Sequence, residues 1–261
     1  MSGVIEFLGT GASTGVPLIG CQCNVCASNN LKNRRLRTSV RIFAKDKEFL
    51  IDATPDFRQQ ALTYGIDIPD ALLLTHSHFD HIGGLEELRV YNVKYQRPIE
   101  CYLSNATFLN LKKLFYYHFG GEGRDKNYTA EYTFHPFEHD SGTFDIDGIN
   151  VQYFSYAQGN MPVTGFRIGA LAYITDIKQY DTSIFSYLKN LDVLVISALR
   201  FSESKMQMTF DEALSFVKMA QPKKTYFTHL SHDIEFEKVS STLAQEIMLA
   251  YDGLRVEFSL E

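Results

Sequence analysis

The sequence predicts a mixed α/β (α+β) fold, and three observations carry that prediction. Short apolar runs, of which Leu171–Ile174 and Val193–Ile196 are the clearest, have the length of buried strands rather than helices. Between them lie segments with helix punctuation: Pro55 opens Asp56–Tyr64 ahead of Gly65, and Thr209 precedes Phe210–Ala220 with Glu212 at the third helical position, a capping box. Candidate ligands then stand just past the ends of apolar runs, where mixed α/β architectures present side chains from rigid supports.

Bulk properties narrow the classes. With 261 residues, 45% hydrophobic and 21% charged, and no internal repeat or low-complexity stretch, the chain reads as one domain over residues 1–261 with a substantial core. A net charge of −6 argues against an extended phosphate-binding surface, so nucleic acid is not an expected partner. No run approaches the roughly 18 apolar residues of a membrane span. The opening Met1–Leu8, with an early Glu6, lacks the basic and long apolar regions of a signal peptide, so the expected location is cytoplasmic. Of the four cysteines, Cys21, Cys23 and Cys26 cluster while Cys101 stands alone. A disulfide framework spreads its cysteines, whereas clustered thiolates in a reducing compartment hold a metal.

In chain order, Val4–Leu8 is a first strand, ending in the glycine-rich Gly9–Pro17. That stretch lacks the Gly-Lys-Ser/Thr ending of a phosphate cradle and is expected to be a flexible loop lining a site. Lys32–Arg37 is a basic run, expected as a solvated connector. Ser39–Ala44 and Glu48–Asp52 form a hairpin across Lys45–Lys47, and Asp52 is placed to orient a neighbouring metal loop by hydrogen bonding. Helices are expected over Leu85–Tyr95 and Ala106–Phe119, flanking a strand at Ile99–Leu103. The aromatic run Phe115–Phe119 reads as core or subunit interface, with a mobile lid at the glycine-rich Gly120–Asp125 as the functional alternative. Strands follow at Tyr132–Phe137, Thr143–Ile146, Asn150–Tyr156, Gly165–Ile168 and Leu171–Ile174, the last ending in Asp176. Thr225–Thr228 leads into His229-Leu-Ser-His232, ahead of a helix expected over Glu235–Ala250.

The chemistry concentrates in Leu72–Gly84. Three imidazoles and a carboxylate, His76, His78, Asp80 and His81, follow an apolar run and precede a glycine pair. Residues two apart in an extended segment point to one side, so His76 and His78 can converge on one ion, while Asp80 and His81 face a second as the chain turns. Imidazole nitrogen and carboxylate oxygen suit zinc, manganese or iron alike.

Together with Gly9–Pro17, Cys21-x-Cys23-x-x-Cys26, Leu50-Ile-Asp52, Ile174-Thr-Asp176 and Thr228-His229-Leu-Ser-His232, this stretch resembles the metallo-β-lactamase superfamily, most closely its PhnP-like phosphodiesterase branch, a relative of tRNase Z. The resemblance implies a four-layer αββα sandwich. It implies a first divalent metal on His76 and His78, a second on Asp80, His81 and His229, and Asp176 bridging the two, with zinc or manganese as the ions. Asp80 and Asp176 would then serve catalysis by holding a metal-activated water for hydrolysis of a small phosphodiester, linear or cyclic. Cys21, Cys23, Cys26 and His232 would form a closed structural zinc site. A homodimer is also implied.

Two positions depart from the family pattern. Gln158 stands where the third histidine of the first site is expected, and Gln207 where a proton-donating histidine is expected. An amide offers a metal only a weak neutral oxygen and does not shuttle protons near neutrality. The expected consequence is a depleted first site or one tuned to manganese, with Gln158 a candidate ligand, and Gln207 and Arg200 candidate substrate contacts. The alternative in a different class is a catalytically weakened metal-binding sensor or interaction protein of the same fold.

Overall fold

A computed structural model describes residues 1–119 and 129–261. The expected lid, Gly120–Asp125, lies outside the described residues. Among the described residues, two seven-stranded sheets face each other. The first contains β1 (Ser2–Gly9), β2 (Ser39–Ala44), β3 (Lys47–Ile51), β4 (Ala71–Leu73), β5 (Ile99–Ser104) and β6 (Tyr132–Phe137) in that order, with the C-terminal β14 (Arg255–Ser259) outside β1. In the second, β7 (Ser141–Ile146), β8 (Ile149–Gln158), β9 (Met161–Ile168), β10 (Leu171–Ile174), β11 (Val193–Ser197), β12 (Lys224–Thr228) and β13 (Ile247–Leu249) also run in order. Each sheet is antiparallel on one side and parallel on the other, the change falling after β3 and after β10.

Strand alternation builds the layers. In β10, Leu171 and Tyr173 enter the core between the sheets while Ala172 and Ile174 point outward to a second core. The central layer packs Phe7, Ile42, Phe49 and Ile51 against Phe166, Ile168, Val195 and Tyr226. On the outer face of the second sheet lie α5 (Ile184–Tyr187) and α6 (Phe210–Ala220), whose Phe210, Ala213, Phe216 and Val217 are buried. On the outer face of the first lie α1 (Phe57–Tyr64), α2 (Phe79–Ile82), α3 (Arg89–Tyr95) and α4 (Asn105–Leu114), packed through Phe57, Ile82, Tyr91 and Leu111. This is the four-layer αββα arrangement implied by the resemblance. The capping box at Thr209 is formed, its side chain receiving the Glu212 N–H while Glu212 receives that of Thr209.

Three helix expectations need correction. The helix over Glu235–Ala250 ends after one short piece, α7 (Phe236–Ser240), and Ile247–Leu249 instead pairs in parallel with Thr225–Phe227. A sheet edge that buries Leu249 outweighs the local helical pattern. The helix over Leu85–Tyr95 begins as a 3-10 turn at Leu85–Leu88, which places Leu85 and Leu88 together in the core, and that over Ala106–Phe119 breaks at Phe115. Of the aromatic run, Phe119 packs on Phe108 and Phe134, while Tyr116 is 73% exposed.

The glycine-rich loop and the basic run were expected to be free and are held. Gly11 bridges both Arg37 and Leu230, and its N–H bonds the Leu36 carbonyl at 2.8 Å. A side chain at Gly9 would place a Cβ 2.0 Å from the Arg37 carbonyl oxygen, so only glycine permits the two segments to approach. Arg35, from the basic run, is 1% exposed.

Candidate metal centre

The predicted ligands converge because their strands end at one rim of the sandwich. His76 and His78 follow β4, Asp176 follows β10, His229 follows β12, and Asp52 follows β3. Asp52, Asp176 and His229 all take positive φ, at 63°, 57° and 57°. That left-handed geometry is uncommon outside glycine, and it turns each chain sharply at the strand end. The two sheets are tied at this rim by the Thr164 N–H to the Thr75 carbonyl, 2.9 Å.

Asp52 and Thr75 decide how the imidazoles point. The buried Asp52 carboxylate accepts the Thr75 N–H and hydroxyl, each at 2.8 Å, and lies 2.6 Å from His81 Nδ1. Its acceptor-only oxygens fix the proton of His81 on Nδ1 and leave Nε2 facing the cluster. The Thr75 hydroxyl, already donating to Asp52, lies 3.0 Å from His76 Nδ1, which turns His76 Nε2 inward in the same way. Thr75 opens the Thr-His-Ser-His-Phe-Asp-His stretch in the sequence, but nothing there assigns it this orienting role.

Around the inward nitrogens stand Asp80, Asp176 and His229. His81 Nε2 is 3.4 Å from Asp80 Oδ2 and 3.2 Å from Asp176 Oδ2, and His229 Nε2 is 3.5 Å from both carboxylates. A tetrahedral ion with bonds of about 2.0–2.1 Å spaces its ligands about 3.3–3.4 Å apart, so Asp80, His81 and His229 fit a divalent metal, and His76, His81 and Asp176 form a second group with one ligand atom each within 4.8 Å. Buried atoms without hydrogen-bond partners make the same point: His81 Nε2 and both ring nitrogens of His229. Burial alone would raise the Asp80 and Asp176 carboxyls, but the facing His81 and His229 imidazoles outweigh it and hold both below the usual carboxylate range.

His76 Nε2 and His78 Nδ1 sit 2.9 Å apart. Gln158, at the end of β8, is 4% exposed and donates through Nε2 to Asp176 Oδ1 at 2.9 Å. Gln207 Nε2 donates to the same oxygen. Arg200 gives Nη2 to the Glu203 carbonyl within the loop that also carries Gln207, and its buried Nε has no partner.

A second cluster joins the two ends of the chain. The Sγ atoms of Cys21, Cys23 and Cys26 lie 3.4, 3.5 and 3.7 Å from His232 Nδ1. Ligands on a tetrahedral zinc with bonds of about 2.3 Å to sulfur and 2.0–2.1 Å to nitrogen are about 3.5 Å apart, so these four residues also fit an ion. Arg35 braces the histidine from both sides, with Nη1 on the Ser231 carbonyl at 3.0 Å and Nη2 on the Ile234 carbonyl at 2.7 Å. Nothing in its basic run signalled this role.

The β-lactamase superfamily domain model matches residues 47–230. This chain belongs to the metallo-β-lactamase superfamily, in its PhnP-like branch. A diphosphatase of the PhnP family superposes with a TM-score of 0.90 at 36% identity, covering 99% of this chain and 98% of that one. The short form of human tRNase Z shares the fold, with a TM-score of 0.71 at 18% identity over 97% and 98% of the two chains. The octanoyltransferase of Porphyromonas gingivalis is 34% identical over 95% of this chain, which spans about half, 50%, of that protein's length. The superfamily is one of metal-dependent hydrolases. No helix among the described residues is long and apolar enough to cross a membrane.

Proposed function

We propose that this chain is a metal-dependent phosphodiesterase acting on a small phosphodiester. One observation carries the reading: His81 Nε2 and His229 Nε2 lie 3.4 and 3.5 Å from Asp80 Oδ2 at the rim of the sandwich, with the Asp176 carboxylate 3.2–3.5 Å from both imidazoles. A divalent ion, zinc or manganese, held there would supply Lewis acidity towards a phosphoryl oxygen and lower the pKa of water towards neutrality. Asp52 keeps the His81 proton on Nδ1, so that Nε2 remains a ligand as charge develops. Arg200, with its unpartnered Nε, is the guanidinium we assign to the phosphate. The net charge of −6 favours a small substrate over a polynucleotide. In the same reading, Cys21, Cys23, Cys26 and His232 hold a structural zinc that ties the N-terminal loop to the segment carrying His229.

The test is steady-state hydrolysis of bis(p-nitrophenyl) phosphate with added zinc or manganese. Turnover that is abolished by chelation and falls at least about 100-fold in His229→Ala supports the reading. No turnover with either metal, in protein that retains its fold, overturns it in favour of a sensor or interaction protein.

A further inference from the structure

The two halves of the histidine cluster are unequal, and the inequality bears on how many ions the site holds. On one side the buried orphans gather: His81 Nε2 and both nitrogens of His229 find no hydrogen-bond partner, with the Asp80 and Asp176 carboxylates facing them. On the other side the polar atoms satisfy one another. His78 Nδ1 and His76 Nε2 are 2.9 Å apart, the length of a direct N–H···N hydrogen bond. Asp176 Oδ1 accepts the amides of both Gln158 and Gln207, and Oδ2 accepts the Thr175 hydroxyl at 2.7 Å.

We infer that Gln158 and Gln207 form a two-amide clamp on Asp176 Oδ1 that makes the centre mononuclear, with one ion on Asp80, His81 and His229 and none on His76 and His78. His76, His81 and Asp176 also lie within 4.8 Å of one another, but a second cation there would meet Asp176 Oδ1 taken by two N–H donors and Oδ2 taken by the Thr175 hydroxyl. His81 offers it nothing further, because Nδ1 is committed to Asp52 and Nε2 to the first ion. Both glutamines are nearly buried, at 4% and 5% exposure, so the clamp is shielded from competing water. Gln158 Oε1 and Gln207 Oε1 have no partner, and turning either amide to ligate a metal would face its oxygen against the Asp176 carboxylate in the clamp's place. The inference rests on the metal-binding part of the function proposed above and not on the substrate.

Metal content and electron paramagnetic resonance test it without reference to activity. Protein saturated with Mn2+ and freed of excess ion is compared as wild type, His76→Ala, His229→Ala and Gln158→His. A mononuclear centre gives an uncoupled Mn2+ spectrum in the wild type, unchanged ion content in His76→Ala, and a loss of one ion per chain in His229→Ala. Gln158→His, by removing one clamp donor and adding an imidazole, is expected to gain an ion and show an exchange-coupled pair. A coupled spectrum in the wild type, or an ion lost in His76→Ala, overturns the inference. So does ion content unaffected by His229→Ala. Hydrolysis by wild-type protein with an uncoupled spectrum upholds both readings, and absence of hydrolysis with that spectrum overturns the phosphodiesterase alone.

Discussion

Asp52 Oδ2 lies 2.6 Å from His81 Nδ1, and both side chains are sealed from solvent. The carboxylate also holds the Thr75 N–H and hydroxyl, so one residue at the end of β3 aims the metal-binding loop that follows β4. Asp52→Asn keeps the shape but removes the charge and puts an N–H2 among three donors. Metal affinity is expected to fall about 10- to 100-fold with the fold retained, read by calorimetric titration of the metal-free protein.

Arg35 supports the second cluster in the same indirect way. Its guanidinium satisfies carbonyls on both sides of His232, and burial lowers its pKa to about 10, still well above neutral pH. Arg35→Met is expected to leave those carbonyls unpaired, at a cost of about 1–3 kcal/mol each, and to speed the loss of the zinc proposed for the cysteine cluster. Urea unfolding and the rate of zinc loss to a chromogenic chelator check the two effects.

The capping box of α6 offers a local test. Thr209→Ala removes the side chain that receives the Glu212 N–H, and a loss of about 1 kcal/mol is expected, with Thr209→Ser close to wild type. Chemical denaturation measures the difference.

Asp252 gives the protein a pH dependence away from the metal ligands. Burial pushes its carboxyl up to about 7, against the hydrogen bonds it accepts from the Leu36 N–H and the Thr10 hydroxyl. A raised acid pKa means the folded state prefers the protonated form. Its contribution to stability is complete below the unfolded value, near pH 4, and is lost as pH rises through 7. The residue retains partial exposure, so the slope is expected to stay below the full value of about 1.4 kcal/mol per pH unit for one proton. Denaturation midpoints between pH 4 and 8 should fall less steeply in Asp252→Asn.

Much of the strand framework was legible because strands are written as short runs of apolar and β-branched residues bounded by turn residues: β2, β6 and β10 begin and end where those runs do. β13 and β14 were not read as strands. The three residues of β13 have no pattern of their own and become a strand by pairing with Thr225–Phe227, while β14 is an edge strand whose partner is β1, more than 240 residues away in sequence. The same holds for the basic run, where Arg35 and Arg37 look alike in sequence. Arg35 is buried under the His232 loop, whereas Arg37 makes a partly exposed ion pair with Asp56 at 2.9 Å.

For the site, the sequence by itself named the candidates: His76, His78, Asp80 and His81 through their spacing, and Asp176, His229, the cysteine cluster with His232 and the two glutamines at unexpected positions through the resemblance. Ligand chemistry depends on residue type and on short-range spacing, and both are local. Only the tertiary structure decided how the donors are used. It set His81 between Asp80 and Asp176, gave its second nitrogen to Asp52, and turned both glutamine amides onto one oxygen of Asp176. Hydrogen-bond direction depends on where strand ends from two sheets meet, and residues from β8 and from the loops after β3, β4, β10, β11 and β12 meet only once the sandwich has closed.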